Sequence, residues 1–347
     1  MKGAVVSAIA DVARAAGVSK ATASRALSGR GYVASDTRER VVEAAARMGF
    51  VVSTNAASLV TGQTHNVGVV IPTLSRWFFA EVLEGIESAL IAAGYDLTLY
   101  RLSSAAAQRQ RVFDYFLVRK RVDAVIAVGI ALTPAEVALL GSLGKPIVGI
   151  GGEIPGIFTL SVDDVAASRL ATEHLIDLGH RRIMHLGGDR DQRLDFRVHE
   201  SRLAGFREAL ASSGIVVDND FRTTAYTIPA GYAAALAVLS DPDIRPTAIL
   251  AGCDEIAIGV IVAARELGID VPRELSVIGI DDHPLAEMFG LTTIRQQPAE
   301  QGALVVERVL RELGDSASEK VIAPEFVPVT LAVRTSTAAP PHSPQNG

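Results

Sequence analysis

Six residues with side chains suited to a polyanion fall within seven consecutive positions: Ser19, Lys20, Ala21, Thr22, Ser24 and Arg25. The lysine can donate to guanine O6 and N7 or to a phosphate, and the hydroxyls can donate or accept at base edges and backbone. Ala21 can offer only an apolar contact, for instance to a thymine methyl. On one short helix this set suits the major groove of duplex DNA.

Such a helix must be held by others, and the flanking run Ile9–Leu27 supplies them. It reads as a short apolar-faced helix, a tight turn and a second short helix, the layout of a helix-turn-helix. Ala13 allows close helix packing, and Gly17 suits a turn with positive φ. Ser19 is a favourable N-cap for the second helix. A third helix, Thr37–Met48, places Val41, Val42, Ala45 and Met48 on one face to close a three-helix core. An ordinary helical hairpin is the competing reading of the same window.

The 347-residue chain carries a net charge of −6, unevenly spread. Residues 1–62 hold eight lysines and arginines against four acids, so they are +4 and the remainder is −10. A basic head on an acidic body suits a nucleic-acid partner at one end only. The single cysteine, Cys253, excludes an internal disulfide and a cysteine-built zinc site. No metal site and no cofactor are expected. No apolar run is long enough to span a bilayer, and the N-terminus does not read as a secretory signal. A cytoplasmic protein with no membrane partner is expected.

From Val67 onward, short β-branched strands alternate with amphipathic helices. The strand candidates are Val67–Ile71, Asp96–Tyr100, Ala124–Val128, Pro146–Ile150, Arg182–Leu186, Ala248–Ala251 and Val277–Ile280. Near-continuous apolar strands between helices predict parallel sheets covered on both faces, with ligands at the carboxyl ends of the strands. The number of units favours two lobes. The expected fold is thus an all-α three-helix headpiece (1–52), a hinge or linker (53–65) and an α/β core of two parallel-sheet lobes (66–337). The first lobe is expected over about 66–160 and 290–318, the second over about 161–289 and 319–337. Residues 338–347 are expected to form a frayed tail.

Several motifs carry a family resemblance. Asp11-Val12-Ala13, Ala16-Gly17-Val18-Ser19, Thr22, Ser24-Arg25 and Thr37-Arg38 resemble the headpiece of the lactose-repressor (LacI/GalR) family of bacterial transcription regulators. Leu178-Gly179-His180-Arg181-Arg182-Ile183, Arg202-Leu203-Ala204-Gly205-Phe206, Asp254-Glu255 and Val277-Ile278-Gly279-Ile280-Asp281-Asp282 extend it in the family's order to about Val333. The resemblance implies a periplasmic-binding-protein-like core, a homodimer, a pseudo-palindromic double-stranded DNA operator and a small sugar-like or nucleoside-like effector. It assigns DNA contacts to Ser19, Lys20, Ala21, Thr22, Ser24, Arg25, Tyr32, Val33 and Thr37. It places a hinge helix over 53–62, with Ala56 and Leu59 at the family spacing and Leu59 as the minor-groove wedge. It assigns effector contacts to Phe79, Arg202, Tyr226, Cys253 and Asp281.

The chain also departs from the pattern. Ser28 replaces the Asn that follows the recognition helix, and the hinge lacks its usual Pro-Asn. Arg76-Trp77 replaces Asn-Pro before Phe78-Phe79, and Cys253 replaces a ligand-touching Asn. The loop 188–201 is long and charged. These changes suggest an effector with polar or anionic groups. Two other function classes compete with this reading. A solute-binding protein would share the lobes but have no use for residues 1–62. An enzyme would need a catalytic motif, and neither a nucleophile elbow, a phosphate loop nor a metal-spaced cluster is present.

Overall fold

The computed structural model describes residues 9–28, 31–50, 63–102, 105–117, 122–142, 144–188, 198–216, 220–242, 245–314 and 323–341. The chain divides into two units, Met1–His65 and Asn66–Gly347.

The first unit contains α1 (Ile9–Ala15), α2 (Lys20–Ser28) and α3 (Ser35–Arg47). Val12, Ala13, Ala23, Ala26, Val41, Ala44 and Ala45 form its core. Alanines dominate because three short helices must cross closely to exclude water. Val42, expected inside, is 49% exposed, and Ala44 takes its place. The reason is helical phase: Val41, Ala44, Ala45 and Met48 follow i, i+3, i+4, i+7, and Val42 lies one step off that stripe.

The second unit holds two six-stranded sheets. β1 (Asn66–Ile71), β2 (Asp96–Arg101), β3 (Ala124–Val128), β4 (Ile147–Ile150) and β5 (Phe158–Val162) belong to the first sheet. Between them run α4 (Trp77–Ala92), α5 (Ala106–Arg111), which continues as a π-helical turn, and α6 (Pro134–Ser142). The chain then crosses over. α7 (Asp164–Asp177), β6 (Ile183–Gly187), α8 (Val198–Ser212), β7 (Phe221–Thr223), α9 (Ile228–Leu239), β8 (Ala248–Ala251) and α10 (Asp254–Glu266) lead to β9 (Ser276–Asp281). A short helix, α11 (Leu285–Met288), precedes β10 (Thr292–Arg295). α12 (Pro298–Gly314) returns to the first lobe, and β11 (Glu325–Val327) and β12 (Thr330–Ala332) finish one sheet each. The strand orders are β11-β5-β4-β3-β1-β2 and β12-β10-β9-β8-β6-β7, every pairing parallel except β10 with β12.

The lobe boundaries differ from the sequence expectation. β5 stays in the first sheet, so the first crossing follows Val162. β10 still pairs with β9, so the return comes at Gln296–Gln297 rather than near 290. β11 pairs with β5 in the first sheet, although that stretch was assigned to the second lobe. Strands of three or four residues carry too little pattern to announce their sheet; their neighbours decide it. Ala338, expected in the frayed tail, is tied to the second lobe. His180 Nε2 lies 2.8 Å from the Ala338 carbonyl, and Ala338 N–H donates to Ser276 Oγ at 3.0 Å.

Glycines close the helix pairs over each lobe. A Cβ on Gly205 of α8 would overlap the Val165 carbonyl oxygen of α7, and one on Gly85 of α4 would overlap the Ala299 carbonyl of α12. Gly205→Ala should therefore force α7 and α8 apart. The expected cost is about 1–3 kcal/mol of stability, measured as a lower denaturation midpoint at unchanged slope.

Candidate functional site

In the headpiece, α2 turns Lys20, Ala21, Ser24, Arg25 and Ser28 to solvent and buries Ala23 and Ala26. The exposed residues repeat at four-residue steps, so they form one stripe along the helix. Ser19 sets the start of that stripe. Its hydroxyl accepts from Thr22 N–H at 3.1 Å and pairs with the Thr22 hydroxyl at 2.9 Å. Gly17 turns the chain at φ +66°. Beyond α2, Tyr32 is 92% exposed. Val33 is half-buried against the headpiece core, so its side chain mainly packs. Thr37, also half-buried, accepts from Arg40 at 3.5 Å. Ala56 and Leu59 lie outside the described residues, as do the hinge helix assigned to 53–62 and residues 189–197 of the charged loop.

In the core, Phe79, Arg202, Tyr226, Cys253 and Asp281 all line one cleft between the lobes. The wall is built at the carboxyl ends of parallel strands, where unpaired backbone and loop side chains converge. Gly129 and Gly151 follow β3 and β4, Asp164 follows β5, Cys253 and Glu255 follow β8, and Asp281 ends β9. Phe79 lies over Gly129, where any Cβ would collide with its ring. Arg76 places its guanidinium 4.6 Å from the Tyr226 ring centroid and 5.6 Å from that of Phe79. Trp77, from the first lobe, meets His283 of the second with ring centroids 4.8 Å apart.

Arg202 is buried and held by two partners. Its Nε donates to Asp164 Oδ1 at 2.8 Å, and Nη1 donates to the Gly252 carbonyl. Burial alone would lower its pKa, but the Asp164 carboxylate, with Tyr226 and Asp281, holds it above the ordinary arginine value. Asp164 itself is raised, because burial outweighs the attraction of Arg202. The Cys253 thiol is also pushed up by burial and by Asp281, so it stays a neutral wall atom.

Asp281 sits on a strained turn. It has φ +140° and Asp282 has φ +59°, conformations that non-glycine residues rarely adopt. Several contacts enforce the turn. Arg295 and Arg334 donate to the two Asp282 oxygens at 2.5 and 2.7 Å. Asp282 N–H donates to Thr293 Oγ1 at 3.3 Å, and His283 N–H to buried Asp254 at 2.8 Å. The result is a carboxylate on the cleft wall that accepts from Gln296 Nε2 at 2.5 Å.

Burial raises the Asp281 pKa to about 6, against the opposing pull of Arg202 and Gln296. Between the unfolded value near ~4 and about 6, the folded state holds more protons, so this group's contribution to stability falls as pH rises. An effector hydroxyl that donates to the ionised carboxylate should have the opposite preference. Effector affinity should climb as pH passes upward through about 6, and Asp281→Asn should flatten that rise in calorimetric titrations.

Sequence reasoning missed Asp164, Gln296 and Gln301 as cleft residues. Asp164 had a readable signal: it opens a helix directly after a strand, at a lobe crossing. The two glutamines had none. Outside the cleft, His174 contacts Thr337, and His180 contacts Ser276 and the Ala338 carbonyl.

Comparison with known proteins agrees with this anatomy. Residues 8–53 match the family described as bacterial regulatory proteins, lacI family, and residues 172–337 match the periplasmic binding protein-like domain. The HTH-type transcriptional repressor PurR of Glaesserella parasuis serovar 5 (strain SH0165) is 32% identical over 345 residues, covering 94% of this chain and 97% of that protein. A lac repressor dimer bound to operator and the anti-inducer ONPF superposes with a TM-score of 0.85 at 26% identity, covering 96% of this chain and 100% of the other. A complex of the transcriptional regulator CelR with cellobiose gives 0.69 at 26%, covering 95% and 99%. The likeness runs from the headpiece through both lobes, and on that ground the chain belongs to the lacI family of bacterial regulatory proteins.

Proposed function

We propose that the chain is a homodimeric, ligand-responsive transcription regulator whose α2 reads each half of a pseudo-palindromic operator and whose cleft takes a small neutral polyol. The family is one of regulators rather than enzymes. The observation that carries the reading is the solvent-facing stripe of Lys20, Ser24 and Arg25 on a helix seated by Ser19. Two copies related by a two-fold axis present two such stripes to two half-sites. Ser19, Thr22, Tyr32 and Thr37 flank the stripe, and Leu59 is assigned the minor-groove wedge.

The cleft's charges bear on the effector. Three carboxylates (Asp164, Glu255, Asp281) face two guanidiniums (Arg76, Arg202), and Arg202 already serves Asp164. That balance favours the polar over the anionic half of the sequence expectation. A polyol suits it: hydroxyls donate to Asp281 and accept from Arg202, while Phe79 and Tyr226 cover a sugar's apolar faces. The cellobiose bound by CelR is a ligand of this kind. The effector must prefer one lobe arrangement to shift operator affinity.

Selection from random duplexes, followed by gel shifts, tests the whole reading. Expected is a two-half-site consensus, binding that weakens steeply with salt, and a neutral sugar that changes it. Equal affinity for selected and bulk DNA would refute it.

A further inference from the structure

The first lobe offers the cleft mainly apolar surface: two phenylalanines, two glycines and Val162. Arg76 is drawn over aromatic rings. Against that background stands Gln301 of α12, which is 2% exposed and lines the same cleft. Its amide Nε2 is buried and has no hydrogen-bond partner among the described residues. A buried donor without an acceptor is costly, and native proteins retain few of them.

The amide cannot readily swing away to find one. Gly302, its neighbour, is pressed so closely on Val82 of α4 that a Cβ would overlap the Val82 carbonyl oxygen. Ala299, two residues before Gln301, meets Gly85 with equal closeness. α12 is therefore locked in rotation against α4, and Gln301 stays in the wall. Its backbone N–H is spent inside the helix, donating to Gln297 at 3.0 Å.

The geometry points to Gln301 as the first lobe's hydrogen-bonding contact with the effector. This assignment rests on the reading of the cleft as a polyol site and deepens it. The ligand must carry an acceptor oxygen, hydroxyl or carbonyl, in addition to the groups that meet Arg202 and Asp281. Those two residues belong to the second lobe, so a ligand bonded to them and to Gln301 spans both lobes. Its affinity then depends on the lobes being together, which is the differential binding that effector control needs. A ligand lacking that oxygen would occupy the second lobe and leave the donor unmet.

Gln301→Met tests this in the full-length chain, because methionine keeps the length and unbranched shape while removing the amide. Without ligand, the variant should unfold about 2–4 °C higher, since the unmet donor is gone. A lower midpoint would overturn the assignment, because it would mean that the amide holds the fold together. The second arm is calorimetry with D-glucose, D-galactose, D-ribose and cellobiose. A sugar that binds the wild-type chain should bind Gln301→Met roughly tenfold more weakly. Unchanged affinity would overturn the Gln301 assignment alone. Silence of the wild-type chain toward all four sugars would instead sink the polyol reading, and the assignment with it.

Discussion

Arg25→Ala is expected to abolish specific operator binding while leaving both folded units intact. Arg25 is exposed on the α2 stripe, and its aliphatic stem passes the position a Cβ on Gly31 would take, 3.4 Å from Cδ. None of the headpiece core residues (Val12, Ala23, Ala26, Val41) depends on it. A bidentate arginine–guanine contact contributes about 1–3 kcal/mol of discrimination. A dimer loses two, so specific affinity should fall by about 2–6 kcal/mol, from roughly 30-fold to more than 10⁴-fold. A phosphate-only role gives a different signature: affinity falls about equally on all sequences, and the salt slope drops by about one per head. Competition gel shifts at several salt concentrations separate the two. Helical content and effector binding should not change. Retention of full operator specificity would remove α2 as the reading element.

Arg202→Ala should leave operator recognition in place and abolish the effector response. It should also cost stability, and the two effects can be separated. The Arg202–Asp164 pair is nearly buried, with side-chain exposures of 7% and 16%. Removing one partner of such a pair costs about 3–5 kcal/mol, because the other charge is left unpaired. The Gly252 carbonyl also loses its donor. The double variant Arg202→Leu with Asp164→Leu should regain much of that stability, since apolar replacements of buried pairs are often near neutral. It should not regain the effector response. If the double variant binds effector like the wild type, Arg202 is only a structural tie. Asp281→Asn supplies the complementary case: the Asp282 side-chain contacts that hold the turn are untouched, while the carboxylate proposed to receive effector hydroxyls is gone.

The headpiece was legible because its physics is local. Ser19 caps its own helix, Gly17 turns at positive φ, and the α2 stripe follows from 3.6-residue periodicity. All of that is written within one stretch of chain. The long parallel strands were equally plain, since Val67–Ile71 and Ala124–Val128 are apolar on both faces. The five residues proposed for effector contact follow from motif resemblance, and the structure brings all five into one cleft. The strands β5, β7, β10, β11 and β12 escaped, and with them the positions of the crossings. Three residues such as Glu325–Val327 join a sheet only because β5 presents a free edge to them.

What the amino-acid order determined alone is the set of parts: a three-helix reader with a basic stripe, parallel strands, an arginine on a helix and an aspartate at a strand end. Local propensity and periodicity suffice for these, because each depends on neighbours only a few residues away. Tertiary structure alone decided which side chains share the cleft and what each has left to bond. Arg202 is paired with Asp164, Asp281 is held in the cleft wall by a turn that Arg295, Arg334 and Asp254 brace, and Gln301 is left wanting an acceptor. Burial and pairing between residues up to 52 positions apart set those states, and no local pattern encodes such distances.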